Sequence, residues 1–194
     1  MNEVLKNHLD KEFQNSESKV DLYNAINQYT SKFLNNNKQN QNIKLFLTDV
    51  DGVLTDAGMY YTEFGDEFKK FNTRDGKGLE LLRKTGVKTG IITSENTKIV
   101  TNRAEKLKVD FLFQGAGNDK FKIISKLCVE ENISFSEIAY IGDDINDLEL
   151  LINVGLAACP QNAVDAIKSI RNIHVLTSKG GEGAVREFIE RFIL

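Results

Sequence analysis

From Ile43 onward the chain alternates short apolar runs with stretches whose apolar residues recur at helical spacing. The runs at 43–49, 87–93, 109–113, 137–141, 155–159 and 173–176 predict strands. The helical patterns between them lie at 76–85, 96–107, 119–132, 145–152, 161–169 and 182–193. Alternation of this kind predicts an α/β fold, a Rossmann-like doubly wound parallel sheet. One segment interrupts it. Within residues 57–71, Met59-Tyr60-Tyr61 and Phe68-Lys69-Lys70-Phe71 flank Glu63-Phe64-Gly65-Asp66, which predicts a β-hairpin inserted after the first strand. Ahead of Ile43 the pattern changes: residues 1–42 are polar and end in the asparagine-rich run 35–42. There Val20, Tyr23, Ile26, Tyr29 and Phe33 mark one face of an amphipathic helix. The expected division is a helical extension with its linker over 1–42 and a main domain over 43–194.

With 194 residues, 41% hydrophobic and 27% charged, the chain suits one domain with a sizeable core and a short appendage. No apolar run approaches the length needed to span a bilayer. The N-terminus mixes charged and apolar residues where a secretory signal would be continuously apolar. A net charge of -3 argues against nucleic-acid binding by phosphate neutralisation. Cys128 and Cys159 lie far apart in apolar surroundings, as reduced thiols of a cytoplasmic protein do. His8 and His174 are isolated, with no ligand spacing around them, which argues against a histidine triad or zinc site.

Chemistry concentrates at the predicted strand ends. The first strand runs into Asp49-Val50-Asp51-Gly52-Val53-Leu54-Thr55, and alternation along a strand turns Asp49 and Asp51 the same way. Two like charges that close call for a bridging cation or a shared proton. A polar strand end turning through a glycine is the plainer alternative. The second strand ends Ile92-Thr93-Ser94-Glu95-Asn96, placing a hydroxyl at the rim, with Ser94 or Asn96 as an ordinary helix cap. The fourth ends Gly142-Asp143-Asp144-Ile145-Asn146-Asp147; Asp143 and Asp147 converge if a helix starts near Ile145, or they merely compensate a helix dipole. Asp49, Asp51 and Asp143 together form an oxygen-rich set suited to Mg²⁺. Lys120, opening a helix after Gln114-Gly115-Ala116-Gly117-Asn118-Asp119, is placed to balance phosphoryl oxygens, although a single helical lysine is ordinarily solvated.

Asp-x-Asp-Gly-x-x-Thr at 49–55, Thr93, Lys120 and Gly-Asp-Asp-x-x-Asp at 142–147, in that order, resemble the haloacid dehalogenase superfamily. The resemblance implies a phosphatase in which Asp49 attacks phosphorus to form an aspartyl-phosphate, while Asp51 serves as acid and then as base. It further implies that Thr93 and Lys120 hold the phosphoryl oxygens. Mg²⁺ would be bound by Asp49, Asp143 and the Asp51 backbone carbonyl, with Asp144 and Asp147 orienting water and lysine behind them. Over 43–194 the hairpin, Phe71-Asn72-Thr73-Arg74-Asp75-Gly76 and the tail 180–187 resemble the small capless branch acting on 2-keto-3-deoxy sugar acid phosphates. Members of that branch form tetramers, their hairpins packed together and a neighbour helping to close each site. The tail glycines Gly180 to Gly183 would then act as a mobile flap, or more plainly as a loop leading into a helix.

The substrate is read less directly. Glu95, Arg103 and Lys106 look like the binding set for a nine-carbon nononate 9-phosphate, whereas Arg74-Asp75-Gly76 looks more like the enzymes for octulosonate 8-phosphate. Since a basic residue usually stands where Glu95 does in the octulosonate enzymes, the nine-carbon substrate is favoured. A salt-bridged, exposed helix face is the ordinary reading of the same residues. Three rivals stand beside this: a catalytically dead oligomerisation module of a sialic-acid pathway protein, a receiver-type signalling domain, and a phosphatase for simple sugar phosphates.

Overall fold

Strand β1 (Leu45–Thr48) leads into a two-stranded antiparallel hairpin, β2 (Tyr60–Tyr61) and β3 (Glu67–Phe68). The chain continues through α1 (Thr73–Arg83), β4 (Lys88–Ile92), α2 (Lys98–Leu107), β5 (Phe111–Phe113), α3 (Lys120–Glu131) and β6 (Ile138–Ile141). It ends with α4 (Leu148–Asn153), β7 (Leu156–Cys159), α5 (Asp165–Lys168), β8 (His174–Val175) and α6 (Ala184–Phe192). This computed structural model describes residues 42–65 and 67–194. The amphipathic helix expected on Val20, Tyr23, Ile26, Tyr29 and Phe33, and the tether after it, lie outside the described residues.

The main sheet has the order β5-β4-β1-β6-β7-β8, and every neighbouring pair is parallel. All six apolar runs are therefore strands of one doubly wound sheet. Alternation along β1 sends Leu45 and Leu47 to one face and Phe46 to the other. Phe46 packs with Leu79 and Leu82 of α1, Val100 of α2 and Phe188 of α6, while Leu45 and Leu47 pack with Ile124 of α3, Leu150 of α4 and Ile167 of α5. Helices thus cover both faces, which explains why the strands read as continuous apolar runs. The order reverses at β1, so its carboxyl end, between the ends of β4 and β6, opens on the crevice where such sheets place ligands.

Several helix ends depart from expectation. Helix α1 starts at Thr73, not 76, because the Asn72 side chain accepts the Arg74 amide (2.9 Å) and caps it. Gly76 and Gly78 weaken its helical signature, yet Gly78 is needed where α6 crosses: a Cβ there would lie 3.2 Å from the Arg186 Cα. Thr97, rather than Ser94 or Asn96, caps α2 by accepting the Val100 amide. Helix α5 shrinks to four residues because the Val164 amide, which would close the first turn of a helix begun at 161, bonds Asp143 O (3.1 Å) instead. The predicted helix at 145–152 opens as a single 3₁₀ turn, Ile145–Asp147. Among the described residues no helix is long and apolar enough to cross a membrane.

Candidate active site

Asp49 is the first residue past β1, and its amide still bonds Ile141 O (3.0 Å), so its position is locked to β6. The chain then turns tightly, with the Val53 and Thr55 amides both donating to Val50 O (3.2 and 3.0 Å). Gly52 has φ +88°, and a Cβ on it would come within 2.0 Å of Asp143 Oδ2. Only glycine lets the Asp143 carboxylate, from the end of β6, lie against this loop.

Carboxylate oxygens of Asp49, Asp143 and Asp147 lie within 4.8 Å of one another. Lys120, the first residue of α3, enters the group with a side chain only 1% exposed; its Nζ is 3.0 Å from Asp49 Oδ1 and 2.6 Å from Asp147 Oδ1. Asp147 is fully committed: it accepts the lysine, the Tyr140 hydroxyl, and the amides of Asp143 (2.9 Å) and Asp144 (3.2 Å). Asp143 is not, for its Oδ1 is buried without a hydrogen-bond partner. Burial and then the Asp147 charge push Asp49 up to about 7, against the pull of Lys120. Burial, Asp49 and Asp147 push Asp143 up to about 8. Burial opposes the Lys120 charge, but Asp49 and Asp147 outweigh it and raise its pKa, so it stays an ammonium. Three carboxylates facing one ammonium leave an excess of negative charge that a divalent cation would balance. Asp49 and Asp143 fit such an ion, and the partnerless Asp143 oxygen is the observation that shows it.

Asp51 stands beside the cluster in different company. Lys69, just past β3, puts its Nζ 2.6 Å from Asp51 Oδ1 and 3.1 Å from Glu67 Oε1, and Thr55 Oγ1 reaches the same Asp51 oxygen at 3.3 Å. Thr93 follows β4, buried, its hydroxyl accepting the Glu95 amide (3.3 Å) and keeping a proton to donate. Asp144 is exposed and caps its own turn by accepting the Ile145 amide (2.7 Å), so of the two outer aspartates only Asp147 orients the lysine. Arg74, Glu95 and Lys106 are exposed. Arg103 is occupied within the fold, where its Nη2 donates to Asn72 O (3.0 Å) and its guanidinium lies 5.1 Å over the Phe71 ring.

The tail glycines form no flap. Gly180 and Gly181 are buried, and a Cβ on Gly180 would sit 1.8 Å from Gly52 O. The Gly181 amide bonds Val53 O (3.0 Å) and its carbonyl accepts from Asn72 Nδ2 (3.2 Å), so this loop into α6 braces the Asp49 loop from behind. Two residues that shape the site were not singled out by the sequence. Tyr140 is wholly buried in β6 and clamps Asp147; a phenol in an otherwise aliphatic strand, two residues before Gly142-Asp143, was the available signal. Lys69 gave none, since Lys69-Lys70 on a hairpin reads as a solvated edge.

A parallel sheet that gathers Asp49, Asp143, Asp147 and Lys120 at its central strand end defines a phosphate-ester hydrolase, and the comparisons agree. A family model of haloacid dehalogenase-like hydrolases matches residues 111–189. The 3-deoxy-D-manno-octulosonate 8-phosphate phosphatase of Yersinia pestis is 36% identical over 154 residues, 79% of this chain and 81% of that protein. The crystal structure of the Moraxella catarrhalis enzyme of the same name, in complex with magnesium, phosphate and its sugar acid, is 35% identical with a TM-score of 0.76. It covers 81% of this chain and 90% of that one. The cobalt-bound Haemophilus influenzae counterpart is 31% identical with a TM-score of 0.71, covering 77% and 86%. The chain belongs to the haloacid dehalogenase-like hydrolases, and within them it is a phosphomonoesterase similar to the octulosonate 8-phosphate phosphatases.

Proposed function

We propose that this protein is a Mg²⁺-dependent phosphatase that removes the terminal phosphate of a 2-keto-3-deoxy sugar acid, with 3-deoxy-D-manno-octulosonate 8-phosphate as its first candidate. The observation that carries the reading is the convergence of Lys120 and the partnerless Asp143 oxygen on Asp49 at the end of β1. The curated relatives side with the octulosonate substrate rather than the nine-carbon one expected from Glu95, Arg103 and Lys106. One of those three, Arg103, is already engaged by Asn72 and Phe71.

Asp49, Asp143 and the Asp51 backbone carbonyl would hold the ion, which when bound supplies positive charge to the phosphoryl group. Asp49 attacks phosphorus, giving an aspartyl-phosphate as the ester oxygen leaves with a proton from Asp51. Asp51 then takes a proton from the water that cleaves the new P–O bond and frees Asp49. Lys120, fixed by Asp147, and the Thr93 hydroxyl bind the phosphoryl oxygens. Arg74 and the exposed Glu95 and Lys106 are left for the sugar acid. The retained carboxylates and lysine oppose the dead oligomerisation module, and family membership opposes the receiver domain. Assembly as a homotetramer belongs to the same reading, supported by the apolar side chains that the hairpin exposes.

Phosphate release is to be measured across octulosonate 8-phosphate, nine-carbon 9-phosphates and hexose phosphates, with and without chelator. The octulosonate ester is expected to turn over fastest and chelator to abolish release. Asp49→Asn should stay folded and lose more than about a thousandfold in kcat, the scale on which removing a nucleophile acts. Wild-type turnover by that variant, or full activity in chelator, contradicts the mechanism.

A further inference from the structure

The hairpin carries a lysine where its pattern calls for a solvent-facing residue. Phe68 is 58% exposed, yet the Lys69 side chain next to it is 1% exposed, the reverse of what burial of apolar surface would select. A buried ammonium is costly unless carboxylates meet it, and here two do, Asp51 at 2.6 Å and Glu67 at 3.1 Å. Hairpin stability alone does not account for the inversion, because Glu67 on the same hairpin already gives Lys69 a partner and Asp51 lies eighteen residues back in the chain.

The two Asp51 oxygens are used unequally. Oδ1 takes Lys69 and lies 3.3 Å from the Thr55 hydroxyl, whose one proton it shares with Val50 O, whereas Oδ2 is buried with no hydrogen-bond partner. We infer that Lys69 is a positioning residue: it pins Asp51 through Oδ1 and so presents Oδ2 to the reacting ester oxygen. This rests on the phosphatase reading. The step balances at that atom. As the Asp49 oxygen bonds phosphorus and the P–O ester bond breaks, the proton on Oδ2 passes to the departing oxygen. In the second half, Oδ2 takes a proton back from the attacking water while the Asp49–phosphorus bond breaks. The ion pair at Oδ1 favours one orientation of the carboxyl, and in that orientation the same oxygen gives and receives. The hairpin, otherwise peripheral, becomes part of the catalytic geometry.

The test is a double-mutant cycle on the full-length protein with Mg²⁺, reading kcat and KM for the best ester of the panel, with circular dichroism on each variant. Lys69→Met is expected to lower kcat about 10- to 100-fold, a part of what general acid–base catalysis supplies, with KM within about threefold. Lys69→Arg should restore much of the loss. In an Asp51→Asn background, Lys69→Met should change kcat by less than about twofold, because its effect passes through Asp51. Wild-type kcat in Lys69→Met, or the same fold-loss with and without Asp51, overturns the inference while leaving the phosphatase intact. Lys69→Gln is run through the same cycle and decides if the methionine variant does not fold. Failure of the enzyme reading looks different: the unmutated protein then releases no phosphate from any ester.

Discussion

Asp143 is the residue on which the electrostatics of the site turn. Its carboxyl and that of Asp49 are pushed from an ordinary 3.8 to about 8 and about 7, chiefly by burial. A carboxyl whose pKa rises on folding makes the native state bind more protons than the unfolded one between the two values. Its contribution to stability is therefore present in acid and is lost as pH climbs through about 7 to 8. A divalent ion, which binds only the ionised pair, reverses that loss. The chelated protein should melt at lower temperature near pH 8 than near pH 5, and Mg²⁺ should raise Tm more at the higher pH; thermal melts at the two values decide, equal gains counting against the assignment. At this scale the sequence was informative where a residue's place followed from a strand end or helix start, as for Asp49, Thr93, Asp143 and Lys120, but alternation did not turn Asp51 with Asp49, because β1 ends at Thr48 and Asp51 sits in the turn against Lys69. It was silent on Lys69 and Tyr140, whose partners lie on other elements; Asp144, expected behind the site, caps its own turn through the Ile145 amide.

Among elements, strands were legible because burial on both faces makes each a plain apolar run. Helix ends were not, since they depend on which local bond wins: Asn72 and Thr97 supply side-chain caps, and the Val164 amide is drawn off to Asp143. The glycine-rich tail shows a further limit. Gly180 and Gly181 invite a mobile reading from composition, but they are small because backbone meets backbone, with no space for a Cβ beside Gly52 O and Asp56 N. Gly180→Ala should therefore cost about 1–3 kcal/mol, as overpacking does, and should also slow turnover by displacing the Asp49 loop. Urea unfolding and kcat measured on one preparation check both; an alanine variant matching the wild type in midpoint and rate would show that the loop gives way freely.

At the scale of the whole molecule, the hairpin groups more exposed large apolar side chains than any other element among the described residues. Met59, Tyr60, Tyr61, Phe64 and Phe68 are each more than two-fifths exposed, Phe64 as much as 85%. Side chains of this kind grouped on one small insertion mark an interaction face, and the tetramer proposed above would cover it. Tyr61→Asp combined with Phe64→Asp should shift the mass seen by light scattering from assembly towards monomer, whereas an unchanged mass places the contact elsewhere. If Lys69 acts as inferred, that variant should also lose turnover as the hairpin loosens.

Asp75, wholly buried at the start of α1, accepts the Arg186 amide at the beginning of α6 (2.9 Å), spanning 111 residues. With Gly180 and Gly181 it fastens a late segment of the chain onto the loop that holds Asp49. During synthesis Asp49 is therefore made long before the segment that supports its loop. Any chain that stops short of Gly181 carries Asp49, Lys120 and Asp143 without the Gly181–Val53 bond that braces the Asp49 loop from behind.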